Sequence, residues 1–105
     1  MDIINEAIKI HGPAEYLLDT RALALLSFND RDPAKLTLAV SDLERAVAKN
    51  PTAIYYFHLT RAYLANDDRE NAKATMDICR NQYEMTINDV PKLERSEYGR
   101  VLTNL

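Results

Sequence analysis

The sequence predicts an all-α fold in one domain, and three observations support this prediction. Apolar residues recur at the spacing of a helix, and no segment keeps the strict alternation of a strand for long. The chain has only two glycines, Gly12 and Gly99, so few positions interrupt a helix. Each of the four prolines stands where a helix would begin or has just ended. A chain of 105 residues is long enough for one ordinary domain and too short for two.

Three helices are predicted in the first half of the chain. A short helix covers residues 2–11, a second covers about residues 14–28, and a third covers residues 33–49. Asp32 precedes the proline at which the third helix starts, and its carboxylate can accept hydrogen bonds from the unpaired N–H groups of the first turn. The links between these helices are short, so neighbouring helices should pack antiparallel.

Three further helices are predicted in the second half. Asn50 and Pro51 close the third helix and introduce the fourth, which covers about residues 52–65. The fifth covers about residues 69–83, and the last begins near Pro91 and runs to the end of the sequence. Helices and short links therefore account for nearly the whole sequence.

An internal repeat relates the second and third helices to the fourth and fifth. A large, a small and a large residue follow one another at spacings of four and three in the second helix, and again 38 positions later in the fourth. An alanine, a larger residue and another small residue keep the same spacing in the third helix, and again 33 positions later in the fifth. Such spacing places each trio on one helical face, so we expect the four trios to pack as a repeated core. The predicted repeat core comprises Leu18, Ala22, Leu25, Ala39, Leu43, Ala46, Tyr56, Thr60, Tyr63, Ala72, Met76 and Cys79.

Helix pairs with this pattern resemble the tetratricopeptide repeat, whose period is about 34 residues. The segments "DLERAVAKNP" and "YYFHLTRAYLANDDRENA", followed by "VPKLERSEYGRVL", are similar to the C-terminal repeats of long bacterial proteins of this family. The resemblance implies an α-α superhelix of antiparallel helix hairpins. It comprises a partial helix at residues 2–11, repeats at residues 14–51 and 52–84, and a capping helix at residues 90–105.

Several features depart from the family pattern, among them Arg21 and the turns within the helix pairs. Arg21 occupies a slot that is usually apolar. The turns within the helix pairs lack the usual glycine, and we expect Asn29 and Asp67 to adopt the left-handed conformation there, because these residue types tolerate it comparatively well.

The resemblance also implies a concave groove that binds a partner. Within the aromatic cluster of the fourth helix, Tyr56 and Tyr63 fall on core slots, whereas Phe57 and His58 fall on the face that lines the groove in this family. We refer to this face as the predicted groove face. It comprises Tyr16, Asp19, Thr20, Leu23, Leu26, Ser27, Phe57, His58, Arg61 and Leu64.

The apolar floor of the predicted groove face has two interpretations. Proteins usually keep exposed apolar surface for a partner or for another of their own segments. One interpretation is therefore that the groove binds a helical or apolar extended peptide. The other is that the terminal helix or an N-terminal element folds over part of it. Asp19, Leu23 and Phe57 stand where family members that hold a terminal carboxylate have basic and Asn residues, so that specificity is not expected.

The sequence contains no pattern that predicts catalysis, and we do not expect an enzyme. His11 and His58 are far apart, and neither has a second ligand one helical turn away, so no metal site or cofactor is predicted. Cys79 stands in a small-residue slot, which favours buried packing over a role as a nucleophile. The segment "NDDRE" lacks the glycine and the distal glutamate of a calcium loop.

Composition limits the classes of partner and compartment. The net charge of −3 and a pI near 5.3 disfavour nucleic acid as a partner. The apolar runs are too short to cross a bilayer, and the acidic N-terminus lacks the pattern of a signal peptide, so no membrane insertion is expected. A single cysteine fits a reducing, cytoplasmic compartment.

The leading hypothesis is a non-catalytic protein-interaction module whose partner is a protein or peptide of unidentified sequence. One alternative is a self-associating scaffold segment, in which the apolar face of the first helix (Ile3, Ile4 and Ile10) makes a homo-oligomer. Another is the regulatory repeat domain of a larger, enzymatic protein. A helix-turn-helix DNA-binding domain is disfavoured by the acidic pI.

Overall fold

Six α-helices form the main framework of the chain in a computed structural model that describes residues 2–12, 14–28 and 30–105. Two short 3-10 turns, Ile87–Asp89 and Lys92–Glu94, precede the last helix. No strand occurs within the described ranges, so the all-α prediction is confirmed. The helices are α1 (Asp2–His11), α2 (Glu15–Leu26), α3 (Pro33–Lys49), α4 (Ala53–Ala65), α5 (Arg69–Asp77) and α6 (Arg95–Asn104).

Polar side chains define the starts of the three central helices. Asp32 accepts a hydrogen bond from the N–H of Ala34 at 3.0 Å at the start of α3. Thr52 accepts a hydrogen bond from the N–H of Tyr55 at the start of α4, and Asp68 accepts one from the N–H of Asn71 at the start of α5. The first turn of a helix leaves its N–H groups without intrahelical partners, and these side chains satisfy some of them. The predicted start of α3 at the Asp-Pro pair is confirmed.

The end of α5 differs from the prediction of a continuous helix to residue 83. The α-helix ends at Asp77 and continues as one wide, π-helical turn, Ile78–Gln82. Glu84 then takes a positive φ of 53°, and the N–H of Met85 donates to the carbonyl of Cys79 at 2.9 Å. The chain turns back here because Met85 is buried in the core beside Cys79.

The links within the two helix pairs use positive φ angles at non-glycine residues. Asp67 has a φ of 57°, which confirms the prediction for the second link. Asn29, for which the same conformation was predicted, lies outside the described residues. Arg31, in the link between α2 and α3, has a φ of 48°.

Helix packing follows the order of the chain. α2 packs against α3, α3 against α4, and α4 against α5, while α1 packs against α2. α4 also contacts α2 and α6. The contacts of Thr60 with Thr75 and of Ala53 with Cys79 run in opposite directions along α4 and α5, so these two helices are antiparallel. α4 is therefore the central helix of the fold.

Two clusters of buried apolar side chains hold the helices together. The first lies among α2, α3, α4 and α5, and the second lies between α4, α5 and the C-terminal segment, residues 85–105. The first includes Ala22, Leu25, Ala39, Leu43, Leu59, Ala62, Tyr63 and Ala72. The second includes Phe57, Met76, Cys79, Met85, Val90, Tyr98 and Val101.

Nearly all residues of the predicted repeat core are buried, and Tyr56 is the exception. Tyr56 is half-buried, and its ring centroid lies 6.0 Å from that of Tyr83. Thr60, which stands in a small-residue slot, shares a hydrogen bond of 2.7 Å with the hydroxyl of Thr75. The small polar residue is therefore satisfied inside the core.

Arg21 forms an ion pair with Asp42. Its guanidinium donates to both carboxylate oxygens of Asp42, at 2.7 and 2.8 Å, and also donates to Asn5 of α1 at 3.2 Å. Asp42 is fully buried in α3. The hydrogen bond to Asp42 raises the pKa of Arg21. A forked pair of this kind fixes α2 against α3, and the contact with Asn5 adds α1.

None of the helices in the described ranges combines the length and the apolar character needed to cross a membrane.

Candidate functional site

The C-terminal segment covers the middle of the predicted groove face. Phe57 is 0 % exposed, and its ring centroid lies 5.7 Å from that of Tyr98 in α6. The prediction that Phe57 is an exposed groove residue is therefore wrong. Val90 and Val101 pack on the same cluster, so burial of this surface comes from residues that follow the repeat pattern in the chain. For this part of the face, the structure favours the interpretation that another segment of the chain folds over the apolar floor.

His58 lies under the same cover and joins three elements. It is only 3 % exposed, so the expectation that it contacts a ligand in an open groove is also wrong. Its Nδ1 lies 2.6 Å from Asp19 Oδ1 in α2, and its Nε2 lies 2.6 Å from Glu94 Oε1 in the last 3-10 turn. Arg61 donates to the same Glu94 oxygen at 2.9 Å. We call Asp19, His58, Arg61 and Glu94 the polar seam.

The chemistry of the polar seam is that of a structural clamp. A neutral imidazole has one N–H, so two hydrogen bonds to two carboxylates require one additional proton, on the ring or on a carboxyl group. Arg61 supplies a further positive charge beside Glu94. Both ring nitrogens of His58 contact carboxylates, so a metal ion or a substrate would have to displace Asp19 or Glu94 to reach them. The described residues contain no cluster of His, Cys, Asp and Glu suited to a metal ion.

The remaining part of the predicted groove face opens into a cleft of about 800 Å³. Leu26, Arg61 and Leu64 are the predicted groove residues that line it. The end of α2, the link to α3, the end of α4, the start of α5 and one side of α6 form its walls. We call this feature the open cleft. Its charged and larger apolar lining residues are Leu26, Phe28, Leu36, Leu64, Val101, Arg31, Arg61, Arg69, Arg100, Asp67 and Glu97.

Three arginines of the open cleft are exposed, whereas Arg61 is half-buried and bound to Glu94. Arg31 lies 3.6 Å from Asp67, with both side chains largely in solvent, and donates to the Ala65 carbonyl at 3.3 Å. Arg100 donates to Glu97 one turn earlier on α6 at 3.2 Å. Arg69 forms no ion pair with another described residue. Exposed ion pairs contribute little free energy, so these three guanidinium groups can exchange their contacts for those of a partner.

Besides Asp19, Phe57 and His58, four residues of the predicted groove face lie outside the open cleft. Tyr16 is exposed on α2, Thr20 donates its hydroxyl to the Tyr16 carbonyl at 2.7 Å, and Leu23 is half-buried. Ser27 is also turned to its own helix, with its hydroxyl donating to the Ala24 carbonyl. The structure therefore divides the predicted face into a covered part, an open part and a strip on α2.

Sequence reasoning missed the residues that the last third of the chain contributes. Glu94, Tyr98 and Val101 stand at spacings of four and three, the pattern of one helical face, and all three contact the α4 side of the molecule. That spacing was the available signal that the segment folds back. Leu93, next to Glu94, is 96 % exposed and takes no part in this contact.

Comparison with protein-family models, curated proteins and solved structures found no match to this chain.

Proposed function

We propose that this chain is a non-catalytic protein-interaction module, built from tetratricopeptide-like helix pairs, that binds a helical or apolar extended peptide in the open cleft. The observation that carries the proposal is that Leu26 and Leu64, from the first helices of the two pairs, line one open cleft together with exposed arginines. A concave surface that offers apolar side chains among charged groups is suited to binding a protein segment.

The tetratricopeptide-like arrangement is supported by two kinds of contact. The first helices of the two pairs, α2 and α4, contact each other, and α3 contacts α4. Both contacts are expected when two helix hairpins stack. The C-terminal segment would then act as the cap that stacks against the last pair, through Phe57, Tyr98 and the polar seam.

The proposal is tested by selecting binders from a displayed library of random peptides. The bait is the whole chain, and the comparison variant is Phe28→Ser/Arg69→Glu, because both side chains are exposed and line the open cleft. We expect enriched peptides with apolar anchor residues, and a loss of affinity of about tenfold or more on the variant, measured by fluorescence anisotropy.

Arg80→Glu provides the matched control, since Arg80 is exposed on the wide turn after α5 and does not line the open cleft. It should bind the selected peptides as the unaltered chain does. Failure to enrich any peptide, or equal binding by the cleft variant and the unaltered chain, would contradict the proposal.

A further inference from the structure

The outward face of α1 is apolar and acidic. Ile3 is 86 % exposed and Ile10 is 64 % exposed. Together with Glu6 they occupy positions i, i+3 and i+7, so they lie on one side of the helix. Asp2, Ile3 and Glu6 also surround one shallow depression of about 240 Å³, which places the two carboxylates beside the apolar side chains. Lys9 lies at the margin of this face.

This outward face is separate from the side that holds α1 in the fold. α1 packs against α2, and its half-buried residues Ile4, Ala7 and Ile8 lie on the opposite side of the helix. Exposed isoleucines on a helix of this length are costly in water unless another surface covers them.

The open cleft has the complementary properties. Leu26, Phe28 and Leu64 offer apolar surface, and four arginines against the two carboxylates of Asp67 and Glu97 leave the cleft with a net positive charge. The outward face of α1 presents Ile3 and Ile10 together with Asp2 and Glu6. Apolar residues would meet apolar residues and carboxylates would meet guanidinium groups, which is the pairing that favours specific docking.

We infer that the outward face of α1 of one copy docks in the open cleft of a second copy. This inference rests on the proposed function, since the cleft is the same binding site, and it names the occupant as an acidic, amphipathic helix of this chain. The two surfaces are different parts of the molecule, so the contact is heterologous and joins copies head to tail. A head-to-tail contact that does not close on itself gives open chains of increasing length.

The test uses two variants that each lose one of the surfaces. Ile3→Lys/Glu6→Lys removes an apolar contact and reverses a charge on α1, and Phe28→Ser/Arg69→Glu does the same in the cleft. Sedimentation velocity over a range of concentrations should show the unaltered chain and Arg80→Glu growing beyond a dimer. Each surface variant alone should stay monomeric, and circular dichroism melts establish that each is folded.

Mixing the two variants gives the decisive measurement. The α1 variant keeps an intact cleft and the cleft variant keeps an intact α1, so the mixture should form a dimer of one copy of each and grow no further. A monomeric unaltered chain at high concentration would overturn the inference. So would a mixture that stays monomeric, because the mixture still contains one intact α1 face and one intact cleft, which the inference requires to bind each other.

The same experiment separates this inference from the proposed function. If the chain stays monomeric while library peptides still bind the open cleft, only the identity of the occupant is wrong. If no peptide binds the cleft and no assembly forms, both the inference and the proposed function fail.

Discussion

Arg21 and Asp42 form an ion pair in which the carboxylate is fully buried and depends on one partner. Asp42 is 0 % exposed, and its carboxylate depends on the forked hydrogen bonds from Arg21. Removing one partner of a buried pair leaves the other charge without compensation, which costs more free energy than the pair itself contributes.

We therefore expect Arg21→Ala to lower the free energy of unfolding by about 3–5 kcal/mol. Denaturation in urea measures this change. Arg21→Met/Asp42→Leu, which removes both charges, should lose less than the single variant. Arg100→Ala is the control, since its ion pair with Glu97 is exposed, and it should change stability by less than about 0.5 kcal/mol. Equal losses for the single and double variants would contradict this account.

Burial of single residues could be predicted from the sequence where the partner surface belongs to the repeat. Leu43 and Ala46 are buried as predicted, because helical periodicity within α3 is enough to orient them. Phe57 could not be predicted in this way. Its burial depends on Val90 and Tyr98, which follow it by more than thirty positions and belong to no repeat.

At the scale of elements, the C-terminal segment depends on the polar seam as well as on apolar contacts. Glu94 shares a hydrogen bond with His58 and accepts one from Arg61, so one side chain connects the turn before α6 to α4. Hydrogen bonds to charged groups contribute about 1.5–3 kcal/mol each. Segments held by few contacts open more often than the core of a protein does.

Glu94→Gln should therefore speed amide hydrogen exchange in the C-terminal segment by about tenfold or more, with a smaller effect on α2 and α3. Exchange followed by mass spectrometry resolves the two regions. Glu97→Gln is the matched control on α6, because its partner Arg100 is exposed. The same exchange rates in both variants would show that the polar seam does not hold the segment.

Helix starts were easier to predict than helix ends. The Asp-Pro pair at the start of α3 is a local chemical signal, and the helix begins there. The end of α5 has no comparable signal, because the turn at residues 78–85 is set by burial of Met85 against the second cluster. The burial of Met85 is a tertiary contact, which cannot be predicted from the sequence pattern of one helix.

For the whole molecule, two buried acidic groups make stability depend on alkaline pH. Burial raises the pKa of the Cys79 thiol to about 12. Burial and the hydrogen bond to Glu44 also raise the pKa of the Tyr63 hydroxyl. In an unfolded chain a thiol titrates near pH 8.5 and a tyrosine near pH 10. The folded state therefore binds more protons than the unfolded state above about pH 8.5.

Because the folded state binds more protons, the stability of the fold decreases as the pH rises. The contribution of both groups is complete below about pH 8.5 and is lost progressively as the pH rises toward 12. We expect the urea midpoint to fall between pH 9 and pH 11. Cys79→Ala should show a smaller fall of the urea midpoint, because it removes one of the two groups. Alanine should fit at this position, since the buried Ala46 occupies the equivalent position in the other helix pair. A fall of the same size in Cys79→Ala would contradict the role given to the thiol.

The exposure of Leu93 has a practical consequence for spectroscopy. Its side chain projects into water one position before Glu94, within the C-terminal segment. The native chain offers a thiol-directed dye only one cysteine, and that cysteine is enclosed and protonated. A fluorophore attached through Leu93→Cys would therefore label one exposed position without disturbing the packed interior. We expect its emission intensity to change if the C-terminal segment separates from α4.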